Sequence, residues 1–458
     1  MNNPTARRRC NFFRATLASA VAALLMSCGG GGDGYSGGSG PAACSLADQQ
    51  NWLGSYMNGE YFWYAQIPSV DPAAYATIDN YFATLLSPGV PGNASLPKDI
   101  WSYSTSTASF DQYFGEGKTL GYGVFVAGLE VAGQPSQPLR VRYIEPASPA
   151  ASTSGSPVRG ETIISINGLP ASDYITRNDY SVLSPTAVSE TIDLIVRNTA
   201  GATRSVQLLA AVYSLTPVSQ TGIVRSPANR AIGYVVLKDF VSQALTPLET
   251  VFANFRSQGV REIVLDLRYN GGGVISVANA LASYVVPLAG VNQTFTTLNY
   301  SDKRQFKNDT SRFADLVSAI DVTRVFVLSG QRTCSASELV VNGLKPFVDV
   351  IQIGDTTCGK PVGFVAADNC GTTFSAINFE ALNSRNEGRY WSGLAPTCPL
   401  ADDLDHALGD PQERLLDAAR TIVDGGSCPV AATRELPSAL RGLRPRVNEG
   451  ERPGMWMR

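Results

Sequence analysis

Histidine is almost missing from this chain: there is one, His406, in 458 residues. That excludes a metal centre built on several imidazoles. It also leaves histidine-based proton transfer a single candidate, in an acidic loop, Asp402-Asp403-Leu404-Asp405, that reads as surface. A surplus of either charge is missing too. With 36 basic and 39 acidic residues the formal charge is −3, so nothing in the balance points to a nucleic-acid partner. No Cys-x-x-Cys pair occurs, which argues against cysteine-ligated zinc. Beyond the N-terminus no apolar run is long enough to cross a bilayer. No motif calls for a cofactor.

What the chain does have begins with an address. Arg7-Arg8-Arg9 followed by the apolar stretch Ala15–Met26 reads as an export signal. Leu25-Met26-Ser27-Cys28 resembles a bacterial lipobox, so residues 1–28 are expected to be a lipoprotein signal with Cys28 as the lipidated membrane anchor. Gly29–Ala43 then serves as a Gly/Ser tether. The location this implies is the cell envelope, facing the periplasm or on the outer membrane of a Gram-negative cell. Of eight cysteines, Cys10 leaves with the signal and six remain in the folded part, where export favours disulfides. The short loops suggest Cys358–Cys370 and Cys398–Cys428, with Cys44 and Cys334 left open. A Cys334–Cys358 bridge would instead tie together two segments singled out below.

The apolar fraction of 44% is ample for several cores. Residues 44–112 read as a helical domain. Asp71 is placed to cap a helix starting at Pro72, with Tyr75, Ile78, Tyr81, Phe82 and Leu85 on one apolar face. The aromatic cluster Trp52, Tyr61, Phe62, Trp63 and Tyr64 reads as core. Residues 113–212 have the texture of short strands. Leu120-Gly121-Tyr122-Gly123-Val124, then Ser148-Pro149-Ala150, then Gly160-Glu161-Thr162-Ile163 leading to Ile166-Asn167-Gly168 resemble a PDZ domain, with Glu161 where that family usually has Asp. The resemblance implies that an extended peptide adds to a sheet edge, with residues 120–124 holding its carboxylate. Residues 213–430 alternate strand and helix, which argues a mostly parallel α/β core. Asp410-Pro411-Gln412-Glu413 is expected to open a late helix. The Arg- and Pro-rich tail, 431–458, reads as disordered.

The tetrad Ser335-Ala336-Ser337-Glu338 has two readings. In one it is a capping box, with Ser335 capping a helix and Glu338 returning to its amide. In the other Ser335 is a nucleophile, and the free amides of the first turn, Ala336 first, face the charge that grows on an attacked carbonyl. Lys360 ends Gly354-Asp355-Thr356-Thr357-Cys358-Gly359-Lys360, which imitates a phosphate-binding loop. Pro361 stands where that motif needs a magnesium-binding hydroxyl, and nucleotide binding is set aside.

Taken in order, Asp266-Leu267-Arg268-Tyr269-Asn270-Gly271-Gly272-Gly273, then Ser335–Glu338, then Gly354–Lys360 resemble the successive motifs of the exported C-terminal processing peptidases, or tail-specific proteases. The likeness spans roughly residues 113–425 and includes the 25-residue step from serine to lysine. It implies a serine peptidase acting on polypeptides, with Ser335 as nucleophile and Lys360 as general base. Ala336 and either Gly272 or Gly273 would form the oxyanion hole. One departure is Phe364, at a position where many members carry a glutamine that orients the lysine; Thr333, Ser337 and Glu338 are the candidates to replace it. The chemistry needs a neutral lysine, a drop of about three units from ~10.4, for which Val362 and Phe364 supply apolar surroundings. Two other classes remain open: a non-catalytic lipoprotein that binds peptides or small ligands on the same fold, and a hydrolase of non-peptide esters or envelope sugars.

Overall fold

The computed structural model describes residues 44–93, 95–127, 138–177, 179–429 and the backbone of 454–456. The expected signal, Cys10, Cys28 and the tether lie outside the described residues, as does most of the tail. No helix among the described residues is long and apolar enough to cross a membrane.

The centre is a six-stranded sheet. Val218–Arg225 runs antiparallel to Ala231–Leu237, and Glu262–Asp266, Arg324–Ser329, Asp349–Gly354 and Cys398–Pro399 follow in parallel. Val325, Phe326, Val327 and Leu328 form an unbroken apolar run because both faces of their strand are covered. Val325 and Val327 share a core with Phe252, Leu281 and Leu339, from the helices Leu245–Ser257, Ile275–Val285 and Ala336–Leu344. Phe326 and Leu328 pack instead with Leu415, Leu416 and Ala419 of the helix Arg414–Val423.

Three adjacent parallel strands end nearly level, with Asp266 beside Leu328 and Ser329 beside Gly354. Gly272, Ser335 and Lys360 each lie six residues beyond the end of one of them. Equal loop lengths on level strand ends bring the three segments to the carboxyl edge of the sheet, where α/β folds place their sites.

A second sheet crosses this edge, in the order Gly272–Val274, Gly454–Trp456, Val362–Phe364, Ile377–Leu382, Thr294–Tyr300, Asp309–Arg312. Part of the tail is therefore a strand, contrary to the expectation of disorder there. The N-terminal helices Leu46–Glu60 and Ile78–Leu85 bury Leu53, Met57, Tyr61 and Phe82 against Val362, Phe374 and Ile377, so they share a core with the second half of the chain. Tyr61 and Trp63 are buried.

Residues 124–209 build a six-stranded sheet in the order Val124–Ala127, Leu139–Ile144, Thr162–Ile166, Thr191–Arg197, Thr203–Leu209, with Leu169–Pro170 paired to Thr162–Ile166 off that path, around a core of its own. Val124–Ala127 is one edge of that sheet. Glu161 is buried and takes both Arg204 guanidinium nitrogens, at 2.8 and 2.6 Å.

Two helix starts differ from expectation. Asp71 caps only the short turn Pro72–Ala74, and the helix begins at Ile78 under Thr77, whose Oγ1 accepts from the Asn80 amide at 3.2 Å. Tyr75 therefore lies outside it, while Ile78, Tyr81, Phe82 and Leu85 form the buried face. Likewise Asp410 accepts from the Gln412 amide in a turn, and Glu413 is the actual cap of the late helix. Local side-chain bonds compete with helix at both places. Cys398–Cys428 is bridged, with Cα atoms 5.5 Å apart. Cys358–Cys370 is not, because Cys370 lies in the turn between Ala367–Asn369 and Thr372–Ser375 and pairs with Cys44.

Candidate active site

Ser335 sits in a sharp turn with φ 60° and ψ −111°, a conformation that costs a non-glycine residue energy. Neighbours on the glycine-loop segment hold it there. Thr333 Oγ1 donates to the Leu267 carbonyl at 2.8 Å, and both the Cys334 amide and Ser337 Oγ donate to the Asn270 carbonyl at 3.0 Å. The glutamate half of the expected capping box is present, the Ser335 amide donating to Glu338 Oε2 at 2.8 Å. The serine half is not effective. The Ser335 hydroxyl lies in the capping position, fully buried, but forms no hydrogen bond of good geometry among the described residues. That leaves a buried hydroxyl over the start of the nine-residue helix Ala336–Leu344, whose Ser337 amide is already taken by the Cys334 carbonyl at 3.1 Å.

Glu338 also holds the other segment. Its Oε2 accepts from the Lys360 amide at 2.8 Å, and its Oε1 accepts from the Gly359 amide at 2.8 Å and from Thr357 Oγ1. One carboxylate oxygen thus positions the backbones of both Ser335 and Lys360. Burial raises the Glu338 pKa, opposed by these four donors. A disulfide doubles the link: Cys334 and Cys358 are bonded, with Cα atoms 5.1 Å apart, and the Cys358 amide donates to the Thr333 carbonyl at 3.0 Å. With both sulfurs bonded to each other, the Cys334–Glu338–Cys358 cluster has no thiolate to offer a metal.

The Lys360 side chain is fully buried, its Nζ 5.4 Å from the centre of the Phe364 ring. Desolvation pulls its pKa down to about 7, while the charges of Asp99 and Glu338 pull the other way. Phe364 therefore walls the amine in, and the apolar surroundings expected from the sequence are present.

The glycine loop divides the two candidates at 272 and 273. Asn270 anchors it, donating from Nδ2 to the Leu237 carbonyl at 2.9 Å and accepting the Gly272 amide on Oδ1 at 2.8 Å. Of the two expected oxyanion-hole glycines, Gly272 has its amide engaged by Asn270, whereas Gly273 is the next residue along the loop. At Gly273, φ is 137° and a Cβ would stand 2.2 Å from the Phe240 carbonyl oxygen, so only glycine fits. Beneath the loop, Arg268 is buried and bonded to Asp266 at 2.9 Å, Asp402 at 2.9 Å and both Glu413 oxygens at 2.8 and 2.9 Å.

The model of peptidase family S41 matches residues 231–368, the span that holds Gly273, Ser335 and Lys360, and that of the peptidase S41 N-terminal domain matches residues 48–103. Residues 231–368 and 48–103 are thus peptidase S41 family domains. Among its relatives are the chloroplastic C-terminal processing peptidase of Tetradesmus obliquus, 26% identical over 249 residues (51% of this chain, 50% of that one), and the carboxyl-terminal-processing protease of Synechocystis sp., 24% identical over 239 residues (51% and 53%). The chain spans about half the length of these curated relatives. Two solved structures share the fold. One is described as an S41 protease from Bacteroides fragilis NCTC 9343, with TM-score 0.63, 23% identity and coverage of 82% of this chain and 97% of that one. The other is the photosystem II D1 C-terminal processing protease, with TM-score 0.52, 19% identity and coverage of 82% and 99%.

The S41 N-terminal region contributes the residue that sequence reading missed. Asp99 is buried and accepts from Tyr61 Oη at 2.7 Å, Ser102 Oγ at 2.6 Å and the Trp101 and Ser102 amides at 2.9 and 3.0 Å. Its charge is the largest opposing influence on Lys360. The available signal was slight: Lys98 and Asp99 are the only charged residues from 80 to 110. Residues 120–124 belong to the middle domain and are not part of the core around Ser335. There Leu120 and Gly121 pair with Val212 and Ala211, and the Tyr122 and Gly123 carbonyls accept from the Ala150 and Glu145 amides, both at 3.0 Å. His406 lies with Asp403, Nδ1 to Oδ2 2.8 Å, in the surface loop.

Proposed function

We propose that this S41 chain is a lipid-anchored serine endopeptidase of the cell envelope that cuts polypeptides through an acyl-enzyme on Ser335. Neutral Lys360 takes the hydroxyl proton as Oγ attacks the scissile carbonyl. The negative oxygen that forms is received by the amides of Ala336 and Gly273. The protonated amine returns its proton to the leaving nitrogen, and water then releases the acyl group with Lys360 again as base. The observation that carries this reading is a single carboxylate, Glu338, bonded to the backbones of both Ser335 and Lys360, beside an amine that burial brings to about 7.

Substrates are polypeptides engaged near their C-termini at the PDZ-like residues 120–124. The edge strand Val124–Ala127 supports that assignment, since a peptide can extend the sheet there. Cys28 tethers the enzyme to the membrane.

The test sets wild type beside Ser335→Ala and Lys360→Ala, with an unfolded protein as substrate and a fluorophosphonate probe for the serine. Both variants should lose turnover, and Ser335→Ala should lose labelling. Equal turnover by all three would discard this mechanism.

A further inference from the structure

One strand beside the candidate site does not belong to the α/β core. Gly454–Trp456, three residues near the chain's end, lies between Gly272–Val274 and Val362–Phe364 and runs parallel to both. Gly454 stands beside Gly272, Met455 beside Gly273, and Trp456 beside Val274 on one side and Phe364 on the other. The left wall of this slot therefore carries the candidate oxyanion glycine, and the right wall begins two residues after Lys360.

Each wall has its own support. Gly272–Val274 is held from behind by Phe240, whose amide donates to the Gly272 carbonyl at 3.0 Å and whose carbonyl accepts from the Val274 amide at 2.7 Å. Val362–Phe364 is paired on its far side with Ile377–Leu382. With the tail strand taken away, two strand edges would face each other one strand apart at the catalytic elements. Such edges bind an extended chain through its main-chain groups, with little demand on sequence. Twenty-four residues of sequence separate the occupant from Pro429.

We infer that this slot is where the catalytic core holds a polypeptide for cutting, and that the chain's own C-terminal segment occupies it as a competitive internal inhibitor; the inference rests on the peptidase reading above. A tethered ligand presents itself at about 1 mM effective concentration. A tail with a Kd near 0.1 mM in trans would then hold about nine molecules in ten closed, so freeing the slot should raise activity about tenfold.

Three forms test this: wild type, a chain ending at Pro429, and full-length Met455→Pro, which removes a strand amide while keeping the length. The first readout is the rate of fluorophosphonate labelling of the serine. The second, independent of activity, is fluorescence anisotropy of a labelled peptide of residues 451–458 on the shortened chain carrying Ser335→Ala. The expected result is labelling about tenfold faster in both altered chains, slowed again by added peptide, with saturable peptide binding. Should the shortened chain misfold, Met455→Pro carries the comparison. Equal labelling in all forms without peptide binding would overturn the inference and leave the peptidase reading intact. Peptide binding with no labelling of any form would leave the slot standing and refute the peptidase.

Discussion

If burial holds the Lys360 amine near 7, the protein's stability must carry a signature of it. The ordinary value is 10.5, so between about pH 7 and 10.5 the unfolded chain holds a proton that the folded chain has released. Stability therefore rises with pH through that window and is flat below it. Below pH 6 the protonated amine costs the fold about 5 kcal/mol relative to a neutral one, and about 2 kcal/mol of this is recovered between pH 7 and 9. Lys360→Met, similar in length and unable to take a proton, removes this dependence. Melting wild type and variant side by side cancels the other titrations. The variant should be the more stable at pH 6, with its advantage shrinking by about 2 kcal/mol from pH 7 to 9. Activity should follow the same amine from the other side, since only the neutral form accepts the serine proton. It should be half-maximal near pH 7 and fall about tenfold per unit below pH 6. A stability difference that stays constant from pH 7 to 9, or an activity limb centred above pH 9, would refute the reasoning.

Glu338→Gln keeps the shape but replaces one carboxylate oxygen with a nitrogen that accepts nothing, leaving donors among Ser335, Thr357, Gly359 and Lys360 unpaired. The melt should show a loss of about 2–5 kcal/mol, and turnover should fall at least about a hundredfold. Replacing Cys334 and Cys358 together by alanine removes a bridge across 24 residues, worth about 3 kcal/mol. Because Glu338 still joins the two segments, turnover should fall by less than about tenfold; a collapse as deep as that of Glu338→Gln would make the disulfide the decisive link.

The sequence carried the core clearly, for physical reasons. Val325–Leu328 could be apolar at every position only as a strand covered on both faces, and the glycine, serine and lysine segments each follow such a strand. What local sequence could not resolve was how neighbouring segments share a group. Glu338 reads as half of a capping box, and nothing in the tetrad says that its carboxylate also takes Gly359 and Lys360. Of the two expected disulfides, Cys398–Cys428 is present and Cys358–Cys370 is not, for the same reason. Loop length favoured Cys358–Cys370, whereas the parallel strands lay Cys358 beside Cys334. Asp71 and Asp410 offered correct capping chemistry, and each spent it on a turn a few residues before the helix. The role of Asp99 depends on docking across some 260 residues of intervening chain, and no short pattern records that.

The Cys44–Cys370 bridge closes a loop of 326 residues, and the contacts around it agree. Tyr103 pairs with Ser375, the Phe62 amide donates to the Ile377 carbonyl at 2.7 Å, and Asn378 Nδ2 donates to the Glu60 carbonyl at 3.0 Å. The helical segment is thus made before its partners and finished only after them. At about 5–20 residues per second, its partners appear some tens of seconds after it leaves the ribosome. Contacts of such sequence separation form slowly even then. Until they form, Asp99 is not beside Lys360, and the electrostatic surroundings of that amine are incomplete. The contacts around the Cys44–Cys370 bridge therefore set when the lysine's pocket is finished, a step that waits on the second half of the chain.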